Sequence, residues 1–369
     1  MSVKILYVLL ATLFCFNTID GTRSALGRLK AHLQKDRNAG ISVDLPNEKR
    51  VNISMLPMSI SNLNAAERTF TFSACFSTTW LDRNLAWNKT DYENITKVTI
   101  SEKHVWTPVF AIPNALEDVT MSSNQLPKIN MYGITTLQFL EGFKTTCQID
   151  ITLYPFDQQR CSILFTPANN FDLGIATTGS IIQGLPSFFI ENSEWELVDI
   201  LAKDVHVNKP GISSVASFEF LLKRKSMFYI VSIIFPMTLL SLLNACVFLL
   251  PADSGEKMSY LISIFVSYAV FLNFVNDSIP KSGDVCRLSV YLTLVLCQSC
   301  LAILTTMAIL NVRSRGLRLQ TKSGVHPANA KVTTNGTERP HLKCATKTDL
   351  VLFGVFLLLA LMSLLVFCV

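Results

Sequence analysis

Charged side chains are scarce in this sequence, 16% of 369 residues, where a soluble domain carries roughly 25%. A wholly soluble globular protein is not expected. Histidine is rarer still, with five scattered positions. No His-Glu-x-x-His zinc pattern, no Gly-x-Ser-x-Gly nucleophile elbow and no phosphate-cradling glycine loop occurs. These absences remove the usual hydrolytic, metal-dependent and nucleotide-dependent chemistries, so no catalytic residue, cofactor or metal site is expected. Excess positive charge is also missing from the first 224 residues, which hold 20 basic and 21 acidic side chains. They cannot assemble the basic face that tracks a nucleic-acid backbone, and nucleic acid is excluded as a partner.

What the sequence has instead is hydrophobicity, 50% of all residues, gathered into runs. Lys4, the apolar stretch Ile5 to Phe16 and the more polar Asn17 to Gly21 follow the order of a secretory signal, with a core too short to span a bilayer. Four later stretches, Met227 to Leu250, Met258 to Val275, Leu288 to Asn311 and Leu350 to Val369, are long enough to cross about 30 Å of hydrocarbon. A secreted N-terminus and four crossings place both termini outside the cell. The connection Val312 to Thr348 then lies inside, and its eight basic residues against the single acid Glu338 satisfy the positive-inside rule. Those cations are also the candidate contact with anionic membrane lipid. Sequons at Asn52, Asn88 and Asn94 fall in the outer part and are expected to be glycosylated, unlike those at Asn276 and Asn335.

The resulting domain plan is a signal peptide over 1–22, an extracellular domain over 23–225, three membrane helices over 226–311, a short basic cytoplasmic loop over 312–348 and a fourth helix over 349–369. In the outer domain, Leu26, Leu29 and Leu33 have the spacing of a short amphipathic helix. From Val51 the pattern becomes short β-branched and aromatic runs divided by Asn, Asp, Gly and Pro. Val51 to Met58, Thr69 to Thr79, Lys97 to Ser101, Gly133 to Leu140, Ser162 to Thr166, Glu196 to Ala202 and Ser217 to Lys223 read as strands of a sandwich. The fold class is therefore α+β, an immunoglobulin-like β-sandwich with an N-terminal helix followed by a four-helix membrane bundle.

Three cysteines, Cys75, Cys147 and Cys161, lie in this domain, and an oxidising compartment favours one disulfide and one leftover thiol. The run from Cys147 to Cys161 is centred on Tyr154-Pro155-Phe156-Asp157, which is turn chemistry. A closed loop of that size is worth about 3 kcal/mol in the chain-entropy model. Cys75, inside an alternating strand, reads as a small packed hydrophobe.

Cys147-x-Ile-Asp-x-x-x-Tyr-Pro-Phe-Asp-x-Gln-x-Cys161, followed by four membrane segments, resembles the signature loop of the Cys-loop pentameric ligand-gated ion channels. Trp80-x-Asp82-x-x-Leu85-x-Trp87, Trp106-x-Pro108, Glu194-Trp195, Arg224, Pro236 and Gly255-Glu256-Lys257-Met258-Ser259 extend the resemblance over nearly the whole mature chain. The last run is similar to the nicotinic, cation-conducting branch. The resemblance pairs Cys147 with Cys161 and implies a pentamer in the plasma membrane, homomeric by expectation and heteromeric as the alternative.

Glu256, Ser259, Ser263, Val266, Val270, Asn273 and Asp277 step by three or four residues and so share one helix face. Facing lipid, that stripe would be costly, whereas around a central axis it lines a water path. The resemblance makes Glu256 a carboxylate ring that selects monovalent cations, Ser259 and Ser263 hydroxyl contacts, Val266 and Val270 the hydrophobic gate, and Asp277 an outer acidic ring. The aromatic residues Tyr260, Phe265, Tyr268 and Phe271 are expected to pack against neighbouring helices, and Phe274 to approach the pore.

The expected ligand cage is depleted. Cys75, Pro113 and Ala168 occupy positions where the resemblance implies aromatic residues, and Trp106 reads as a packed strand aromatic. Such a site should not hold a quaternary ammonium well, so the small-molecule ligand is left unknown. Coupling between the layers is expected from Glu67, the turn Tyr154, Pro155, Phe156 and Asp157, the membrane-proximal Arg224, and Pro280 in the outer linker. Arg224→Gln is expected to uncouple gating while sparing surface assembly. The leading functional expectation is a cation-channel subunit; the alternative is a non-conducting accessory subunit that needs a partner to supply the missing ligand face.

Overall fold

The computed structural model describes residues 24–34, 50–117, 126–168, 171–182, 186–205, 214–250, 256–278, 285–322 and 340–368. The signal segment, Pro280 and much of the basic connection lie outside them. The chain divides into two compact units. One is the sandwich; the other comprises the membrane helices together with Asp150–Asp157.

The sandwich begins with helix α1, residues 24–34, which buries Ala25, Leu29 and Leu33 on one face. Eleven strands follow among the described residues: β1 (Arg50–Asn64), β2 (Thr69–Leu81), β3 (Lys97–Thr99), β4 (Phe110–Ala111), β5 (Lys128–Asn130), β6 (Ile134–Thr146), β7 (Gln158–Pro167), β8 (Asp172–Ile175), β9 (Gly179–Ser180), β10 (Trp195–Val205) and β11 (Val215–Arg224). They form a six-stranded sheet ordered β3-β5-β6-β2-β1-β8 and a five-stranded sheet ordered β4-β7-β11-β10-β9. Each sequence-expected strand is present, and most are longer than the expected run. β1 and β2 pair antiparallel through a turn at Asn64, whose side-chain oxygen accepts from the amides of Ala66 and Glu67 at 3.0 and 3.2 Å.

The period-two pattern of β2 dictates which side is core. Phe70, Phe72, Ala74, Phe76, Thr78 and Trp80 are buried, while Ser73, Cys75, Ser77 and Thr79 turn the other way. From the second sheet, Phe220 meets Phe72 at 4.7 Å between ring centroids and Phe165 meets Phe76 at 4.8 Å. Aromatic pairs at these distances contribute roughly 0.5–1.5 kcal/mol each beyond area burial. The Trp80 motif is a structural corner. Asp82 caps a 3-10 turn by accepting from the Asn84 amide, and the Trp87 indole donates to the Ile95 carbonyl at 2.8 Å. Gly133, at φ +82°, closes that corner. A Cβ there would lie 2.3 Å from the Asp82 carbonyl oxygen, so only glycine fits.

The second unit holds α2 (Met227–Tyr229), α3 (Phe235–Cys246), α4 (Glu256–Ser278), α5 (Arg287–Lys322) and α6 (Pro340–Cys368). A π-helical turn, Ile230–Ile234, joins α2 to α3 just ahead of Pro236. Proline has no amide to donate and its ring crowds the carbonyl four residues back; the wider turn accommodates both. Among the described residues four segments, Met227–Leu249, Glu256–Val275, Arg287–Val312 and Lys347–Phe367, are long and apolar enough to cross a membrane. The third expected crossing continues as helix to Lys322 and the fourth helix starts earlier, at Pro340.

The bundle interior is apolar around Ala245, Phe248, Leu261, Ala302 and Phe356. A polar chain crosses it. The Ser241 hydroxyl donates to the Gln298 side-chain oxygen at 3.1 Å, and the Gln298 amide donates to the Phe356 carbonyl at 3.0 Å, tying α3, α5 and α6 together. Interhelical hydrogen bonds of this kind are worth about 0.6–2 kcal/mol in a membrane.

Candidate pore lining and ligand site

Helix α4 separates its side chains sharply. Lys257, Leu261, Ile264, Tyr268 and Val275 are buried against the rest of the unit. Glu256, Ser259, Ser263, Val266, Val270 and Asn273 are all exposed in the isolated chain. At 100° per residue the two sets lie on opposite sides of the helix. Val266 and Val270 are 52% and 66% exposed. The Ser263 and Ser267 hydroxyls donate to the carbonyls four residues back at 2.8 Å, leaving their oxygen lone pairs facing outward. Asp277 lies in the last turn of α4.

The aromatic content of α4 has a structural account. Tyr268 is buried on the back of the helix, the Tyr260 hydroxyl donates to the Leu243 carbonyl at 3.1 Å, and Phe271 packs 6.2 Å from Phe274. Phe274 itself is exposed beside Asn273. At the other end of the helix, Lys257 turns inward to Asp349 of α6, with 3.5 Å between charged atoms, and its ammonium sits 6.0 Å from the Phe248 ring. Sequence reasoning missed this pair, because its members are 92 residues apart.

Cys147 and Cys161 are joined by a disulfide with 5.1 Å between their Cα atoms. Within the helical unit, the loop segment Asp150–Asp157 contributes the buried residues Tyr154, Pro155 and Asp157 and the exposed Phe156. The Tyr154–Pro155 peptide is cis. Asp157 and Arg224 form a bidentate ion pair at 2.7 and 3.2 Å, with their side chains 1% and 4% exposed. The Arg224 guanidinium also lies over the Tyr154 ring at 4.9 Å and the Tyr229 ring at 5.7 Å. Arg224 thus has the acidic partner that a buried cation requires. Glu67, in the other unit, is exposed on the β1–β2 turn.

The candidate ligand residues fall into two groups in the sandwich. β4 runs antiparallel to β7, and the Ala168 amide donates to the Val109 carbonyl at 2.9 Å, so Ala168 and Pro113 flank β4 at its opposite ends, and both are exposed. Trp106 is half-buried, edge-on to Trp80 and Phe171 at 5.9 Å each, which makes it part of an aromatic wedge. Cys75 stands in the other sheet, between Leu56 on β1 and Leu140 on β6. It therefore occupies the face of β2 turned away from the phenylalanine core, where the strand's own alternation with Phe72, Ala74 and Phe76 puts it. The structure does not bring Cys75 together with Pro113 and Ala168 within one chain.

Burial raises the pKa of the Cys75 thiol above its usual value. A raised pKa leaves less thiolate at neutral pH, so alkylation of Cys75 by iodoacetamide is expected to run several-fold slower than that of an exposed thiol and to accelerate as pH rises above 9. Peptide mapping of a pH series reads this directly. Rates matching free cysteine at pH 7 would contradict it.

A family model described as the neurotransmitter-gated ion-channel ligand binding domain matches residues 30–226, and one described as the neurotransmitter-gated ion-channel transmembrane region matches residues 233–343. The chain belongs to this family, the Cys-loop ligand-gated ion channels, whose members are pentameric channels rather than enzymes. It is 28% identical over 274 residues to the 5-hydroxytryptamine receptor 3A of Mus musculus, covering 72% of this chain and 56% of that one. Over 274 residues it is 32% identical to the neuronal acetylcholine receptor subunit non-alpha-2 of Carassius auratus, covering 72% and 57%. To the neuronal acetylcholine receptor subunit alpha-6 of Rattus norvegicus it is 31% identical over 243 residues, covering 64% and 49%. The chain thus aligns with about half the length of these relatives.

Proposed function

We propose that this chain is a subunit of a cation-selective channel in the plasma membrane, with α4 lining the pore and both termini outside the cell. The observation that carries the reading is the two-faced α4. Its acid, hydroxyl and valine positions are left uncovered on one side, while its adjacent cation Lys257 is withdrawn to Asp349 on the other. Five such helices around an axis would give a carboxylate ring at Glu256, a hydroxyl-lined segment at Ser259 and Ser263, and a constriction at Val266 and Val270 that closes by dewetting. Asn273 and Asp277 would complete the lining at the far end. Residues 1–22 would be removed as a signal, 23–225 would form the outer domain with glycans at Asn52, Asn88 and Asn94, and 312–348 would lie in the cytosol.

A homopentamer is the assembly that this reading favours, with monovalent cations as the permeant species. Its agonist is neither assigned nor expected to be a quaternary ammonium, because Cys75, Pro113 and Ala168 offer no aromatic faces. That same depletion supports a second reading, an accessory subunit whose ligand face comes from a partner in a heteropentamer. Coupling would run through Tyr154, Pro155, Phe156, Asp157 and Arg224, with Glu67 and Pro280 as the remaining members.

The deciding experiment is voltage clamp of cells expressing only this chain with Val266→Ser, which wets the constriction and favours opening without agonist. A standing current is expected, with a reversal potential that moves by close to 59 mV per tenfold change in external sodium, the limit for a univalent carrier, and is indifferent to chloride. Protein at the surface without current would favour the accessory reading, and a current following chloride would overturn cation selectivity.

A further inference from the structure

Helix α4 carries an exposed aromatic side chain that neither the carboxylate ring nor the valine constriction uses. Phe274 is 58% exposed, while the adjacent Val275 is buried against the rest of the unit. Eighteen positions separate Phe274 from Glu256, and at about 100° per residue these make five whole turns, so the two side chains leave the helix in one direction. A helix that turns Glu256 toward an axis therefore turns Phe274 toward it too, about 27 Å further along. Phe271, half-buried one turn earlier, backs the ring at 6.2 Å between centroids. Asn273 beside it is exposed, and Asp277 follows in the last turn of α4.

Repeated around the axis of a pentamer, this turn gives a collar of five aromatic rings with a carboxylate ring just beyond it. An aromatic face carries negative potential and attracts a cation, the more strongly the more fully that cation has shed its water. Sodium keeps a tight hydration shell and gains little from the rings. A quaternary ammonium has no N–H to bond water and carries apolar arms, so it exchanges loose hydration for aromatic contact at small cost. The other end of the helix offers acid and hydroxyl at Glu256, Ser259 and Ser263. Among the described aromatic residues of α4, Phe274 alone is exposed. Aromatic faces and negative charge thus coincide at the outer mouth, whereas the candidate agonist positions Cys75, Pro113 and Ala168 have no rings to offer.

We propose that the Phe274 rings bind a quaternary ammonium entering from outside, and that its binding there blocks the pore. The inference rests on the pore-lining reading of α4 and names a ligand of the outer mouth, not an agonist. The ring faces hold the cation, and the Asp277 charges raise its local concentration.

The test applies tetraethylammonium outside cells expressing the chain with Val266→Ser. The standing sodium current should be blocked, with a half-blocking concentration that changes only about twofold per 100 mV, as for a charge crossing about a fifth of the field. Phe274→Leu should raise that concentration at least tenfold. Phenylalanines carrying one, two and three ring fluorines at position 274 should raise it stepwise, because fluorine drains charge from the ring face while leaving its apolar surface nearly unchanged. In parallel, a benzophenone-bearing trimethylammonium should crosslink the full-length unsubstituted chain in nanodiscs within residues 270–277, and Phe274→Leu should cut that labelling at least fivefold. Block indifferent to Phe274→Leu or to the fluorine series would overturn the proposal. So would a voltage dependence of tenfold or more per 100 mV, which places the blocker at Ser259 and Ser263, or the absence of crosslinks at 270–277. Because crosslinking is read without current, a silent protein that labels there retains the site and loses the conduction reading, whereas a conducting one that is neither labelled nor blocked loses the site alone.

Discussion

Arg224→Gln should remove most of the protein from the cell surface. The substitution takes the bidentate cation away from Asp157 in a site where both side chains of the pair are almost fully enclosed. Breaking a buried pair from one side costs about 3–5 kcal/mol, set against a total of about 5–15 kcal/mol for a typical domain. Loss of the cation also removes its contacts with the Tyr154 and Tyr229 rings. Surface biotinylation should therefore fall at least tenfold, and the detergent-solubilised protein should melt earlier.

The reciprocal substitution Asp157→Asn should behave alike, while the double variant Arg224→Gln, Asp157→Asn should recover much of the surface signal, since the glutamine amide nitrogen takes the place of Arg224 Nε, which lies 2.7 Å from Asp157 Oδ1, and can donate to the asparagine oxygen without charge. Wild-type surface levels in Arg224→Gln alone would contradict this. Burial thus adds a folding cost to the expectation that Arg224→Gln acts on gating alone, and makes the double variant the one in which gating is measured.

What the sequence disclosed follows the range of each interaction. The six exposed positions of α4 were readable because a three-to-four spacing is a property of one helix, and side-chain exposure then separates them from Leu261 and Tyr268. The long strands were readable for the same reason, since β2 alternates over thirteen residues. β4 and β9 have two residues each and carry no period to detect. The Lys257–Asp349 pair and the Ser241–Gln298–Phe356 chain depend on helices meeting across 57 to 92 positions of sequence, which no local pattern encodes. Cys75 shows the intermediate case. Its strand was legible and the alternation with Phe72 and Phe76 already puts it on the outer face, but its neighbours Leu56 and Leu140 follow only from the register with β1 and β6.

On the cation-channel reading proposed above, Glu256→Gln in the Val266→Ser background should cost most of the preference for cations. In sequence the neighbouring Lys257 would cancel Glu256, and a net-neutral mouth could not discriminate. The helix resolves this by turning adjacent residues about 100° apart, so that Glu256 stays exposed while Lys257 is buried and held 3.5 Å from Asp349. A unit charge at an assumed distance of about 8 Å from a pore ion in water contributes roughly 0.5 kcal/mol, so a ring of five contributes roughly 2.6 kcal/mol for a cation and as much against an anion. Screening over a Debye length of about 8–10 Å reduces both. The sodium-to-chloride permeability ratio should accordingly drop by about 10- to 100-fold, read as a reversal potential that begins to follow chloride. Because Lys257 remains tied to Asp349, selectivity should be lost rather than fully inverted. Adding Asp349→Asn frees that cation and should carry the ratio further toward anions. An unchanged ratio in Glu256→Gln would place the selectivity ring elsewhere on the exposed face, with Asp277 the next carboxylate to neutralise.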